Sequence, residues 1–220
     1  MLPKREPMVY TRTERVSDAM VHVAGLASAL IAAPVLVVLA CLWFGDFGTV
    51  TATTVYAISL VGMLACSAIY NTVTRPGWGD LLRRLDQSAI YMKIAGTYTP
   101  FAVLTGTHAG PFLAGIWGAS LTGASMILFG PARWKRPSFV LYLVIGWAGM
   151  LFGGPLIAGL SPAGLALILL GGTLYSIGLV FLLWERLPHH NTVWHVFVLV
   201  ATALVYSAIL VELSGRAAAA

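Results

Sequence analysis

The stretch RRLDQSAIYMKIAGTYTP, residues 83–100, carries Asp86 and Lys93 among mostly apolar neighbours, and few other polar side chains share such surroundings. His22 lies in ERVSDAMVHVAG, Ser67, Tyr70 and Asn71 in CSAIYN, and Asn191 and His195 in NTVWHVFVLV. Ser67 and Asn71 are four residues apart, as are Asn191 and His195, so each pair shares one face of a helix. Imidazole, carboxylate, hydroxyl and amide groups brought together can hold a metal ion, or orient a water molecule and take its proton.

Such groups need elements to carry them. The 220-residue chain is 59% apolar and only 10% charged, with a mean hydropathy of +0.86, far from the balance of a water-soluble domain. A helix crosses the hydrocarbon core with about 20 apolar residues. Seven such runs stand near 19–43, 51–73, 86–106, 111–130, 138–158, 162–184 and 191–212. Runs such as LIAAPVLVVLACLWF are continuously apolar, whereas barrel strands alternate. The sequence therefore predicts an all-α, polytopic protein: one bundle of seven transmembrane helices spanning 19–212, with tails at 1–18 and 213–220. The first run is too long for a signal-peptide core and is expected to remain as a span. Cys41 and Cys66 fall inside spans and are expected to be buried thiols.

Orientation follows from the basic residues. Eleven of the thirteen Lys and Arg residues fall in the N-terminal tail and the second, fourth and sixth connections; Arg216 and Lys93 are the exceptions. By the positive-inside rule the N-terminus is cytoplasmic and the C-terminus outside. The net charge of +5 then reads as a topology signal, and no nucleic-acid module accompanies it. Trp43, Trp78, Trp134 and Trp184 suit an interfacial belt. No G-x-S-x-G nucleophile, phosphate loop or dinucleotide fingerprint occurs.

This topology brings the end of helix two and the starts of helices three and seven to one cytoplasmic depth. Asn71, Asp86, Asn191 and His195 are expected to converge there, without a second imidazole at that level. His189 and His190 are expected at the headgroups, and His22 to be structural, bonding to another helix. An ionisable group inside a bilayer costs at least about 2.5 kcal/mol and so faces a partner or a cavity. Two readings of Lys93 stay open: a cation reaching back about 10.5 Å of helix rise toward Asp86, or a side chain in a wet interior while Asp86 pairs with Arg83 and Arg84.

The pieces ERVSDAMVHVAG, CSAIYN, RRLDQSAIYMKIAGTYTPF and NTVWHVFVLV, in that order, resemble the motifs of the hemolysin III group, the bacterial branch of the progestin and adipoQ receptor family. The resemblance runs from Glu14 to about Leu213. It implies a multi-pass protein of the bacterial cytoplasmic membrane, a zinc site near the cytoplasmic face, a distant likeness to membrane ceramidases and, through the family name, cytolysis. The three ligand positions fall on Asn71, Asn191 and His195, so amides replace two imidazoles, and Gln87 replaces a histidine common after the helix-three aspartate. Amide oxygens bind zinc poorly, so zinc is expected to be weak or absent and the pocket non-catalytic. The alternatives are a zinc-dependent lipid amide hydrolase, with Asp86 and Ser67 as its catalytic pair and Tyr70, Gln87, His22 and Lys93 lining the pocket, or a proton- or ion-coupled transporter. The expected partners are the bilayer and a lipid ligand.

Overall fold

The computed structural model describes residues 11–73, 77–106, 110–131 and 135–219, and the side chains of all of these except Lys135 and Arg136. The expectations for Lys4, Arg5, Arg75, Arg133 and Trp134 lie outside the described residues. Among the described residues the chain is helical throughout, with no strand. The helices are α1 (Arg12–Trp43), α2 (Phe47–Thr72), α3 (Gly79–Leu104), α4 (Gly110–Phe129), α5 (Lys135–Phe152), α6 (Gly154–Ala158), α7 (Pro162–Leu183) and α8 (His190–Ala217).

Five of them, α1, α2, α4, α7 and α8, are long and apolar enough to cross a membrane. Helix α3 is as long as α2 but carries Asp80, Arg83, Arg84, Asp86 and Lys93. The run expected at 138–158 is divided: α5 stops at Phe152 and the single turn of α6 follows. Gly153, Gly154 and Pro155 explain the break, since proline cannot continue the α5 hydrogen-bond ladder and serves instead in the first turn of α6. Helix α1 starts at Arg12, earlier than its apolar run, because Thr11 and Glu14 form a reciprocal capping box.

Apolar side chains gain little by leaving lipid for a protein interior, so close packing and interhelical hydrogen bonds hold a membrane bundle together. Helix α1 buries a stripe of mostly small residues, Gly25, Ala29, Ala33, Leu36 and Ala40. Cys41 lies one position beyond that stripe and is exposed, and Cys66 is half-buried, so the expectation of two buried thiols is corrected. A Cβ at Gly96 would overlap the Ser59 side chain, and one at Gly123 would overlap the Tyr91 ring; glycine at these two positions lets α3 approach α2 and α4. The Arg84 guanidinium donates at 3.0 Å to the carbonyls of Ile127, Leu128 and Gly130, placing a cation at the C-terminal end of α4. The Tyr98 hydroxyl donates to Gly146 O at 2.6 Å and accepts from Gly149 N at 3.0 Å, tying α3 to α5.

Polar contacts also fix the end away from the polar cluster. The buried Glu212 carboxylate accepts from Ser161 N at 2.8 Å and Ser161 Oγ at 2.7 Å, holding the cap of α7 against α8. Asp46 caps α2 by accepting from Thr49 N at 2.9 Å, and that bond holds its carboxyl below the usual carboxylate range. A depressed carboxyl stabilises the fold at pH values above its unfolded pKa, and the contribution fades as pH falls through the folded value. Asp46→Ala should therefore lower stability by about 1 kcal/mol at neutral pH. Thermal unfolding of the two proteins should converge as the pH is taken below the carboxylate range.

Candidate functional site

Helices α1 and α8 are clasped at the polar end of the bundle. Glu14 Oε1 accepts from the backbone N–H of His189 at 3.0 Å. The Ser17 hydroxyl lies 3.0 Å from both His189 Nδ1 and Thr192 Oγ1. His189 has a left-handed backbone, φ +58°, which turns the chain into α8. One turn further along each helix, these contacts bring Asp18 and His195 together.

The Asp18 carboxylate is the hub of the site. Its Oδ1 lies 2.6 Å from His195 Nδ1, its Oδ2 accepts from Asn191 Nδ2 at 3.1 Å, and His22 Nε2 lies 3.4 Å from the same oxygen. The His22 and His195 rings meet edge to face with centroids 4.1 Å apart. All three residues are buried, with relative exposures of 7% for Asp18, 4% for His22 and 8% for His195. Each offers one donor atom, and the three atoms lie within 4.8 Å of one another.

The expected convergence of α2, α3 and α8 therefore has α1 at its centre. Asn191 Nδ2 also reaches Asn71 Oδ1 at 3.3 Å, while Asn71 Nδ2 donates to Ser67 O at 2.9 Å. Asp86 lies close enough to Ser67, His195, His22 and Asp18 to interact with them electrostatically. The two amides thus bond to each other beside the carboxylate. The second imidazole, not expected at this level, is His22, whose ring packs across on His195 of α8. Asp18 was not among the expected site residues; the signal for it was its place four residues before His22, on the same helical face.

Several other residues take positions that differ from the expectations. Arg83 and Arg84 pair with Asp80, not with Asp86. Lys93 Nζ donates to Thr97 Oγ1 at 2.8 Å and stands 5.1 Å from the centre of the Tyr56 ring; among the described residues no ion pair joins it to Asp86. His190 is buried.

A cavity of about 430 Å³ adjoins the site, and Tyr70, Asn71, Asp86, Gln87, Lys93, Asn191 and His195 all contribute to its wall. Apolar side chains of α3, α5, α7 and α8 form most of the rest. The cavity reaches Leu156 and Leu160 at the far end of the bundle.

Two imidazoles and one carboxylate form the donor set of catalytic zinc sites and also of one class of iron sites. His22 Nε2 is buried and makes no hydrogen bond. A nitrogen left in that state costs desolvation energy that coordination would offset. On these grounds Asp18, His22 and His195 fit a metal ion.

The helices and the buried polar centre define a multi-pass membrane protein with a metal-capable pocket. The chain belongs to the haemolysin III family: the family model described as Haemolysin-III related matches residues 10–206. It is 34% identical to the Hemolysin-3 homolog of Bacillus subtilis over 204 residues, covering 92% of this chain and 95% of that protein. It is also 34% identical to Hemolysin-3 of Bacillus cereus over 214 residues, 96% of each chain. The human Monocyte to macrophage differentiation factor is 25% identical over 169 residues, 70% of this chain and 67% of that protein, which supports the wider relation to the progestin and adipoQ receptors. No solved structure matches the chain.

Proposed function

We propose that this protein is a metal-dependent hydrolase of the bacterial cytoplasmic membrane, which holds zinc on Asp18, His22 and His195 and cleaves an amide bond of a lipid lying in the adjoining cavity. The observation that carries the proposal is the buried carboxylate and two imidazoles, with donor atoms within 4.8 Å of one another, beside a mostly apolar cavity of about 430 Å³. The choice of zinc and of an amide rests on the family's likeness to membrane ceramidases. In this reading residues 19–212 form one seven-helix transmembrane domain, with the N-terminus cytoplasmic and the C-terminus outside. The asymmetry of the basic residues supports that orientation.

When bound, zinc would supply the Lewis acidity that polarises a carbonyl and acidifies water near neutral pH. Asp18 fixes the His195 ring and the Asn191 amide. Asn71 and Asn191 orient their neighbours and do not replace the missing imidazoles as ligands. Asp86, supported by Ser67, is the carboxylate placed to take a proton from water and return it to the leaving amine. Tyr70 and Gln87 border the place where the substrate's polar end would enter. Polar side chains gather mainly at one end of the bundle, which supports a pocket and not a continuous pore as the feature behind the family's lytic name.

The test is turnover of an N-acyl sphingoid amide by the full chain, purified in detergent and supplied with zinc. Turnover should disappear on chelation and in His195→Ala, and fall about 100-fold or more in Asp86→Asn. A zinc-loaded, folded preparation with no turnover on any acyl chain length would sink the hydrolase reading.

A further inference from the structure

We propose that α6, with Gly159 and Leu160 after it, is a hinged lid over the end of the cavity that lies away from the polar cluster. Glu212 and Arg216 of α8 latch it shut, and its release gives the cavity a second mouth on the opposite face of the membrane. This does not depend on the hydrolase reading; it needs only the cavity and the contacts at that end of the bundle.

Helix α6 is a single turn, Gly154–Ala158. Leu156, Ile157 and Leu160 line the cavity, and Leu156 is 5% exposed. Gly154, Pro155 and Ala158, on the other side of the same turn, are exposed. The cover is therefore one turn thick, with an apolar underside. Gly153 and Gly154 join it to α5, and a Cβ at Gly153 would overlap the Gly149 carbonyl. Two glycines in succession absorb the backbone rotation that a hinge needs.

Charged groups hold the other end of the lid. The Arg216 guanidinium donates to Gly159 O at 2.7 Å and to Glu212 Oε2 at 3.3 Å. Glu212 Oε1 accepts from Ser161 N and Oγ. A Cβ at Gly164 would overlap that oxygen, so glycine lets the carboxylate lie against the first turn of α7. Glu212 is buried and stands four residues before Arg216, on the same helical face. A buried carboxylate in a membrane protein needs its cation, so each latch residue keeps the other in place. The latch is incompletely satisfied: Arg216 Nε is buried without a hydrogen-bond partner, a cost that closure carries. Charge-assisted bonds at one end and glycines at the other make a segment that opens as a unit.

The experiment is the rate at which a water-soluble maleimide labels Ile168→Cys, a cavity-lining position of α7, in the full chain in detergent with Cys41 and Cys66 changed to serine. Ala158→Cys, on the exposed side of α6, should label fast in every background, and Ile168→Cys slowly while the latch is intact. Glu212→Ala and Arg216→Ala should each raise the Ile168→Cys rate at least about tenfold, the equivalent of one hydrogen bond to a charged group. Gly154→Ala, whose Cβ meets open space, should lower that raised rate about two- to fivefold by stiffening the hinge. Ala124→Cys, buried at the contact of α4 with Ser88 of α3, reports on the fold and should stay unlabelled. An Ile168→Cys rate unchanged by both latch variants, or already equal to that of Ala158→Cys in the parent, would overturn the proposal. So would a rise at Ala124→Cys matching that at Ile168→Cys, since the bundle and not the lid would then be opening.

Discussion

Asp18→Ala should be the most damaging single change in the polar cluster, lowering the stability of the metal-free chain by about 3–5 kcal/mol. The carboxylate is the partner of His195 Nδ1 and Asn191 Nδ2 and the neighbour of His22 Nε2. Its removal leaves two buried polar groups of α8 without their common acceptor, each at a cost of about 1–3 kcal/mol, and takes the facing charge from His22 of α1. Asp18→Asn keeps the shape and one acceptor oxygen and should cost less. Thermal unfolding in detergent, with retained helical signal as the folding control, measures both. A loss within about 1 kcal/mol for Asp18→Ala, the ordinary size of a single substitution, would mean that Asp18 does not organise the α1–α8 junction.

The second large effect concerns metal affinity. His22→Ala and His195→Ala should each weaken zinc binding by at least about 100-fold, since removal even of groups that merely support a ligand costs about 10–100-fold. His189→Ala is the informative control, because His189 bonds to Ser17 at the surface clasp and lies outside the cluster. Its affinity should fall less than in either ligand variant, within the about 10–100-fold range of groups that support a ligand. Competition with a chromophoric chelator gives all three values. Asn71→His provides a further contrast: it returns an imidazole to a position next to Asn191 and should raise affinity if the amide pair sits against the metal.

The contrast between His22 and Asn71 shows how far the sequence was legible. The apolar runs located the long helices to within a few residues at most ends, because lipid imposes one strong condition on every spanning segment. It did not reveal the break at Gly153–Pro155, since a hydropathy pattern does not register a turn made of apolar and small residues. The meeting of Asn71, Asp86, Asn191 and His195 followed from topology and helical spacing. The role of α1 did not, because Asp18 fell at the end of the polar tail and His22, at the start of the first span, was expected only to bond structurally to another helix. Only the packing of α1 on α8, held by Glu14, Ser17 and His189, turns both inward.

Lys93 illustrates the opposite limit. Spacing put it on the same face as Asp86, which made a pair between them reasonable. The side chain instead reaches one turn the other way, to Thr97, where Thr97 Oγ1 and the Tyr56 ring are both within range. Seven residues of helix separate charges by more than a lysine stem easily spans backward.

In the proposed metal site α1 supplies the ligands, Asp18 and His22, that α2 and α8 lack. Zinc K-edge absorption of the zinc-loaded parent chain and of His22→Ala tests it most directly. The parent should give a first shell of two imidazole nitrogens with oxygen donors, falling to one imidazole in the variant. A parent spectrum with one imidazole or none, or a spectrum unchanged by loss of His22, would contradict it.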